Sequence, residues 1–246
     1  MMKKSESCTN RLPSEVTQIK DLEVMCNYRR LKFIRRFNNF PTLNTEDVAQ
    51  HSYFTAIIAM TMADEYNVFI RESNKKVAEH NLTVHPYDVE SAQNPQDEVN
   101  VGLVMRYALF HDIEEAFTSD IPWNVKHHNS AVNTLITGVA QSKLQNIYEN
   151  CSEVFKHQMQ LKLDAKNGLE GKFVAIADML ECAWNCYQES RMGNPYLNSL
   201  KDKAMEVIEK DPFSKVLEET SPLFNSMCRL LTVGMHAWNV DEPNID

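Results

Sequence analysis

Apolar residues recur at intervals of three and four along most of this chain, and the strict alternation that marks a half-buried strand is scarce. With only 6 Gly and 9 Pro in 246 residues, few positions interrupt that periodicity. The expected fold is therefore all-α. An apolar fraction of 43% supplies a sizeable core, and the length suits one large domain, or one domain with an appended arm.

Residues 1–17 read as a polar N-terminal arm and residues 18–246 as a single domain. A helical pattern runs through Ile19, Leu22, Met25, Cys26, Arg29, Arg30, Phe33 and Phe37 until Pro41 interrupts it. Asn44 or Thr45 can cap the next helix, with Glu46 and Asp47 against its positive end. That helix carries Val48, His51, Phe54 or Thr55, Ile58 and Met62 on one side, which puts His51 near its start, on or beside the core face. Residues 71–98 read as an inserted polar loop or lid, because Arg71 to Lys76 is highly polar and His85-Pro86-Tyr87-Asp88 and Asn94-Pro95 are turn signals.

A further helix is expected to start near Glu98 and to carry Val101, Val104, Ala108, His111 or Asp112, and Glu115, ending between Thr118 and Pro122. Others fall at about 130–150 and 152–165. Asn167-Gly168 and Gly171 punctuate the start of the helix bearing Asp178, which Arg191 to Pro195 ends. Residues 198–236 hold one or two more amphipathic helices.

A net charge of −9 argues against a general nucleic-acid binder, which carries a basic face. It leaves room for a small anionic substrate, since a bound cation and a few basic side chains reverse the sign locally. None of the six cysteines forms a C-x-x-C pair; Cys182 and Cys186 share a helix face and read as a buried apolar pair. No apolar stretch follows the first lysines, and none approaches the roughly 18 residues of a membrane span. A cytoplasmic protein with no membrane partner is expected.

The chemistry is concentrated in His111-Asp112, with His51 sixty residues upstream and Asp178 inside the apolar run Phe173 to Leu180. Two neutral imidazoles and two carboxylates can hold one divalent cation and leave positions open for water and phosphate. That set points to hydrolysis of a phosphate ester. Adjacent side chains in a helix diverge by about 100 degrees, so His111 and Asp112 share an ion only if it lies off the helix edge, between neighbouring helices. Asp178 is costly to bury unless coordinated or held in a salt bridge.

Glu115, one turn past Asp112, can orient or deprotonate a water at the metal, whereas Glu114 reads as a solvated surface charge. Arg36 and Lys126 can clamp phosphate oxygens, although each alone also reads as a surface cation. Trp123 can pack near a base or in the core, and His127-His128 stays outside the ligand set. With imidazole as half the ligand set, Mn, Co, Fe or Zn is favoured over Mg.

Taken together, Arg36-Phe37, the run Thr45 to Ser52, the run Ala108 to Pro122, Lys126 and Ala177-Asp178 resemble the HD-domain 5′-deoxynucleotidases of the YfbR-like branch, over residues 25–190. The resemblance implies a helical HD-domain bundle and one divalent metal held by His51, His111, Asp112 and Asp178. It implies hydrolysis of deoxyribonucleoside 5′-monophosphates, with Arg36 on phosphate, Glu115 assisting the attacking water and Asp120 holding substrate or water. It also implies a homodimer.

Phe37 stands where that family has a tryptophan associated with choosing deoxyribose over ribose. The segment between His51 and His111 is longer than the family pattern and falls near enough the site to act as a lid, and residues 192–246 form a C-terminal helical extension. Either addition can change the substrate from a monophosphate to a triphosphate. A deoxynucleoside triphosphate triphosphohydrolase or a nucleotide phosphodiesterase is the enzymatic alternative, and an inactive HD scaffold the non-enzymatic one.

Overall fold

The structure, a computed structural model, describes residues 14–83, 97–122, 125 and 129–234. Its helices in chain order are α1 (Glu15–Tyr28), α2 (Val48–Thr83), α3 (Val101–Phe110), α4 (Glu115–Thr118), α5 (Ser130–Tyr148) and α6 (Glu153–Asp164). They continue with α7 (Gly168–Arg191), α8 (Asn198–Lys210), α9 (Pro212–Thr220) and α10 (Pro222–Val233). Two short 3₁₀ segments, Arg29–Phe33 and Pro195–Leu197, follow α1 and α7. Among the described residues the one β-type pairing is an antiparallel bridge between Arg35 and Asp47. The all-α expectation stands.

The main core is built on α2, α3 and α7 and completed by α8, α9 and α10. Alanines 56, 59 and 63 of α2, 108 of α3, and 177 and 183 of α7 are buried together, small side chains that let helix backbones approach closely. Phe173 of α7 meets Tyr66 of α2 and Phe213 of α9 edge-on at 5.5 and 4.9 Å, a geometry that adds ring electrostatics to area burial. Gly171 is needed in the first turn of α7, because a Cβ there would lie 2.5 Å from the Lys166 carbonyl carbon.

Several sequence expectations need correcting. The first pattern does not run on to Phe37: α1 ends at Tyr28, the 3₁₀ turn follows, and the chain extends at Ile34. Its inward face is Val24 and Leu31, while Ile19, Leu22 and Met25 are exposed. Helix α2 is capped by Asp47 rather than Asn44 or Thr45: Gln50 N–H donates to Asp47 Oδ1 at 2.9 Å, and Asp47 N–H to Gln50 Oε1 at 3.1 Å. This reciprocal pair satisfies two otherwise orphaned donors. On its core side Thr55, not Phe54, is buried.

Residues 71–83 are not a loop, because α2 continues through them as helix. They start about 30 Å along the axis from His51 and lead away from it, which overturns the lid expectation for this part of the insertion. Ile70 is the last buried residue of that helix among those with described side chains. The chain returns at Val99, whose N–H and carbonyl both pair with the Asn67 carboxamide at 2.8 Å, and Arg71 faces Glu98.

Helix α3 starts at Val101 behind the Asn100 cap and stops at Phe110, before the expected Thr118. The C-terminal region holds three helices, not one or two, since Asp211-Pro212 and Ser221-Pro222 each supply a side-chain cap followed by a proline that suits a first helical position.

Candidate metal and nucleotide site

The break after α3 creates the site. His111 is its C-cap, and residues 111–114 form turns rather than continuous helix. Lys162 of α6 secures them, donating to the His111 carbonyl and, at 2.6 Å, to Glu114 Oε1. Glu114 is therefore a half-buried partner of Lys162 and not the solvated charge expected. His111 Nδ1–H donates to the Ala108 carbonyl at 2.6 Å, so its Nε2 is left as a lone pair.

His51 comes from the first turn of α2 and is fully buried, as is His111. Its Nδ1–H donates to Glu181 Oε2, so its Nε2 is also a lone pair. The two Nε2 atoms face one another at 3.3 Å. Asp178 Oδ1 of α7 lies 3.2 Å from His51 Nε2 and 3.9 Å from His111 Nε2. Asp112 Oδ2 lies 3.7 and 3.2 Å from the same two atoms.

The residue types and spacing fit one divalent cation. Donors about 2.0–2.2 Å from a shared ion sit roughly 3–3.6 Å apart when they are neighbours around it. Burial alone would lower the His111 pKa, but Asp112 and Asp178 raise it overall, a sign of the negative potential concentrated here.

A cavity of ≈ 380 Å³ opens against Asp112, Glu115 and Asp178. Glu115 is the first residue of α4, buried, with its N–H bonded to the Asp112 carbonyl. Arg36 and Phe37 come from the loop between the 3₁₀ turn and α2, and both line the cavity. Arg36 N–H bonds the Glu46 carbonyl at 3.0 Å and Val48 N–H the Ile34 carbonyl at 3.0 Å, which closes the loop at its base. Phe37 has φ 54, a left-handed conformation for a residue with a Cβ, and its ring lies 5.2 Å from the Arg36 guanidinium. Ser119 has φ 64 and turns the chain so that Asp120 reaches the cavity. Both strained residues thus flank the pocket, where such strain tends to collect.

Behind these four side chains lies a buried charge cluster. Arg36 Nη1 is 3.4 Å from Glu181 Oε2, and Arg36 Nε is 3.8 Å from Glu46 Oε2. Burial opposes the Arg36 charge, but Glu181 and Glu46 outweigh it and keep the guanidinium protonated. Burial raises both carboxyls, Glu46 further through the Glu181 charge and Glu181 through Asp178, while Arg36 opposes each rise. Glu181 receives the donors from His51 and Arg36, which favours the charged form of Glu181 over that of Glu46.

The structure thus brings together seven of the residues singled out from sequence, as well as Phe37. Lys126 lies outside the described residues, as do Trp123 and His127-His128. Sequence reasoning missed Glu181, although it stands three residues past Asp178 and so on the same helix face. It also missed Lys166 and, from α8, Ser199, Leu200 and Lys203, which wall the cavity. No local signal marked them, since a cavity wall is set by how α8 packs on α7. Cys182, which the sequence pairs with Cys186 as a buried apolar side chain, is buried with it but also borders the cavity.

A family model described as 5′-deoxynucleotidase YfbR-like matches residues 66–219. That span includes His111, Asp112, Glu115, Asp120 and Asp178 and begins beyond Arg36 and His51. The chain is 23% identical over 185 residues to a 5′-deoxynucleotidase of Shewanella oneidensis, covering 74% of this chain and 82% of that one. It is 25% identical over 167 residues to a 5′-deoxynucleotidase of Yersinia pestis, covering 67% and 72%. In structure it is similar to an HD-domain phosphohydrolase from Listeria innocua, with a TM-score of 0.64, 21% identity and coverage of 88% and 92%.

Proposed function

Because this chain belongs to the YfbR-like 5′-deoxynucleotidase family, we propose that His51, His111, Asp112 and Asp178 are its metal ligands and that Arg36, Phe37, Glu115, Asp120 and Lys126 serve the substrate. The protein is an HD-type metal-dependent phosphohydrolase, a 5′-deoxynucleotidase that cleaves deoxyribonucleoside 5′-monophosphates to deoxynucleoside and phosphate. One observation carries the site assignment. Both histidines spend their Nδ1–H elsewhere, so two imidazole lone pairs and two carboxylates converge on a buried point and call for a cation.

A divalent cation bound there supplies Lewis-acid polarisation of a phosphoryl oxygen and lowers the pKa of water. Glu115, buried beside Asp112 and open to the cavity, orients the attacking water and takes its proton. Arg36 stays charged and faces the cavity, so it offsets charge on the phosphoryl group as the ester bond breaks. Asp120 at the rim holds the sugar or a water, and the Phe37 ring closes the same wall. The cavity volume of ≈ 380 Å³ falls within the usual range for ligand sites, about 300–1,000 Å³. Ligand softness favours Mn, Co, Fe or Zn.

The reading includes a homodimer. Its support is a set of apolar side chains exposed on two helices that pack side by side, Tyr53, Phe54 and Ile57 of α2 with Met105 and Leu109 of α3. It also places the enzyme in the cytoplasm, consistent with unpaired Cys151, Cys182 and Cys186. No helix of the described residues is long and apolar enough to cross a membrane.

The test is a metal-stripped protein titrated with Mn²⁺ by calorimetry and then assayed with dAMP and dATP. Mn²⁺-dependent orthophosphate release from dAMP, lost together with Mn²⁺ binding in Asp112→Ala, is the expected result. Intact tripolyphosphate released from dATP, with dAMP untouched, would refute the monophosphatase assignment. Full metal-dependent turnover in Asp112→Ala would refute the ligand set.

A further inference from the structure

We propose that Glu181 is a positioning residue that serves two parts of the site at once, fixing the His51 tautomer on one side and the Arg36 guanidinium on the other. The proposal rests on the metal-site reading above. A single oxygen, Oε2, accepts the His51 Nδ1–H and lies 3.4 Å from Arg36 Nη1.

A histidine ring has two nitrogens and, when neutral, one proton, so a carboxylate on Nδ1 forces the lone pair onto Nε2. In His51 that is the atom facing His111, Asp112 and Asp178. Carboxylates behind metal-bound histidines act in this way generally, setting ring orientation and raising ligand basicity. Here the same carboxylate also fixes the cation of the phosphate-binding loop. Glu181 and Asp178 share one face of α7, one turn apart, so a single rigid helix sets the ligand, its neighbour's tautomer and the arginine together.

The cluster Glu46, His51 and Glu181 has spacing that a second metal ion could use. Arg36 lies between the two glutamates and already supplies positive charge there, which argues for positioning over a second metal.

The experiment compares wild type, Glu181→Gln and Glu181→Ala in three measurements. The ¹⁵N shifts of the His51 ring in metal-free protein report the tautomer without reference to activity. Calorimetry gives the Kd for Mn²⁺, and steady-state kinetics at saturating Mn²⁺ separate KM for dAMP from kcat. In Glu181→Ala the Nδ1–H form gives way to a mixture and the Mn²⁺ Kd rises about 10–100-fold. Glu181→Gln keeps an acceptor oxygen but no charge, so it retains most of the tautomer while KM rises through Arg36. Glutamine preserves the side-chain volume, so this variant carries the test should alanine destabilise the fold.

An unchanged His51 tautomer and Mn²⁺ Kd in folded Glu181→Ala would overturn the proposal. If wild type itself takes up no Mn²⁺, the metal-site reading fails, yet the metal-free tautomer still decides what Glu181 does to His51.

Discussion

Replacing Glu189 by glutamine tests whether the loop that presents Arg36 and Phe37 is held from behind by one carboxylate. Glu189 lies in the last turn of α7, where the helix dipole disfavours negative charge, and it is only 1% exposed. Three donors compensate. Its oxygens accept Leu43 N–H at 2.9 Å, Asn44 N–H at 2.6 Å and Asn194 Nδ2–H at 2.5 Å. Burial would raise the Glu189 pKa, but these donors outweigh it and hold the carboxyl below its usual range.

Glutamine keeps one acceptor oxygen and turns an amide NH₂ toward a donor, so about two charge-assisted hydrogen bonds are lost, each contributing about 1.5–3 kcal/mol. Because the groups share one partner their losses do not add, and the net cost is about 2–4 kcal/mol. At roughly 2–4 °C per kcal/mol for a chain of this size, Tm falls by about 5–15 °C. A depressed folded-state pKa stabilises above the unfolded value of about 4.3, and that contribution disappears as pH drops through the lower folded value. The gap between wild type and Glu189→Gln is therefore full at pH 7 and narrows once the pH falls below about 4.3. Melting curves by circular dichroism across that range measure it, and dAMP kinetics should show KM rising with little change in kcat. A Tm within about 1 °C of wild type at neutral pH would refute the reasoning, because three donors at these distances cannot then depend on the charge.

Three further outcomes are expected. Glu115→Gln lowers kcat about 10²–10⁴-fold while the Mn²⁺ Kd by calorimetry stays near wild type; parallel loss of metal binding would make Glu115 a ligand instead. Gly171→Ala forces a Cβ against the Lys166 backbone and costs about 1–3 kcal/mol, read as a lower Tm, and an unchanged Tm would mean the start of α7 shifts freely. Ile57→Glu places charge among the exposed apolar side chains of α2, so if the proposed homodimer forms through them, light scattering should give a monomer for the variant and a dimer for wild type. A monomeric wild type would remove the dimer from the proposal.

The comparison of sequence with structure is most instructive at boundaries and at the back of the site. Helix identity followed from periodicity, which is why α5, α6 and α7 fall close to where the sequence placed them. Boundaries that depend on a particular side chain bonding a particular N–H were misjudged, as at Asp47, which won over Asn44 and Thr45 because Gln50 completes the reciprocal cap. The exposure of Ile19, Leu22 and Met25 has the same origin: spacing reveals a stripe, but only packing decides which stripe faces inward. The polarity of residues 71–83 suggests a loop, yet a polar segment continues a helix readily when nothing in it breaks the backbone pattern.

By itself the sequence determined the helical class and the chemical identity of the groups able to hold a cation, since both are local properties of residue type and spacing. His51, His111, Asp112 and Asp178 were nameable from it, and so was Glu115 beside them. Tertiary structure alone decided which hydrogen the His51 imidazole gives away, which carboxylate stands behind it, and that α8 supplies part of the pocket wall. The His51–Glu181 contact joins residues 130 apart in the chain, and the wall from α8 depends on how that helix packs on α7. Hydrogen bonding and desolvation act over a few ångströms, so they become fixed only after α2 and α7 have packed.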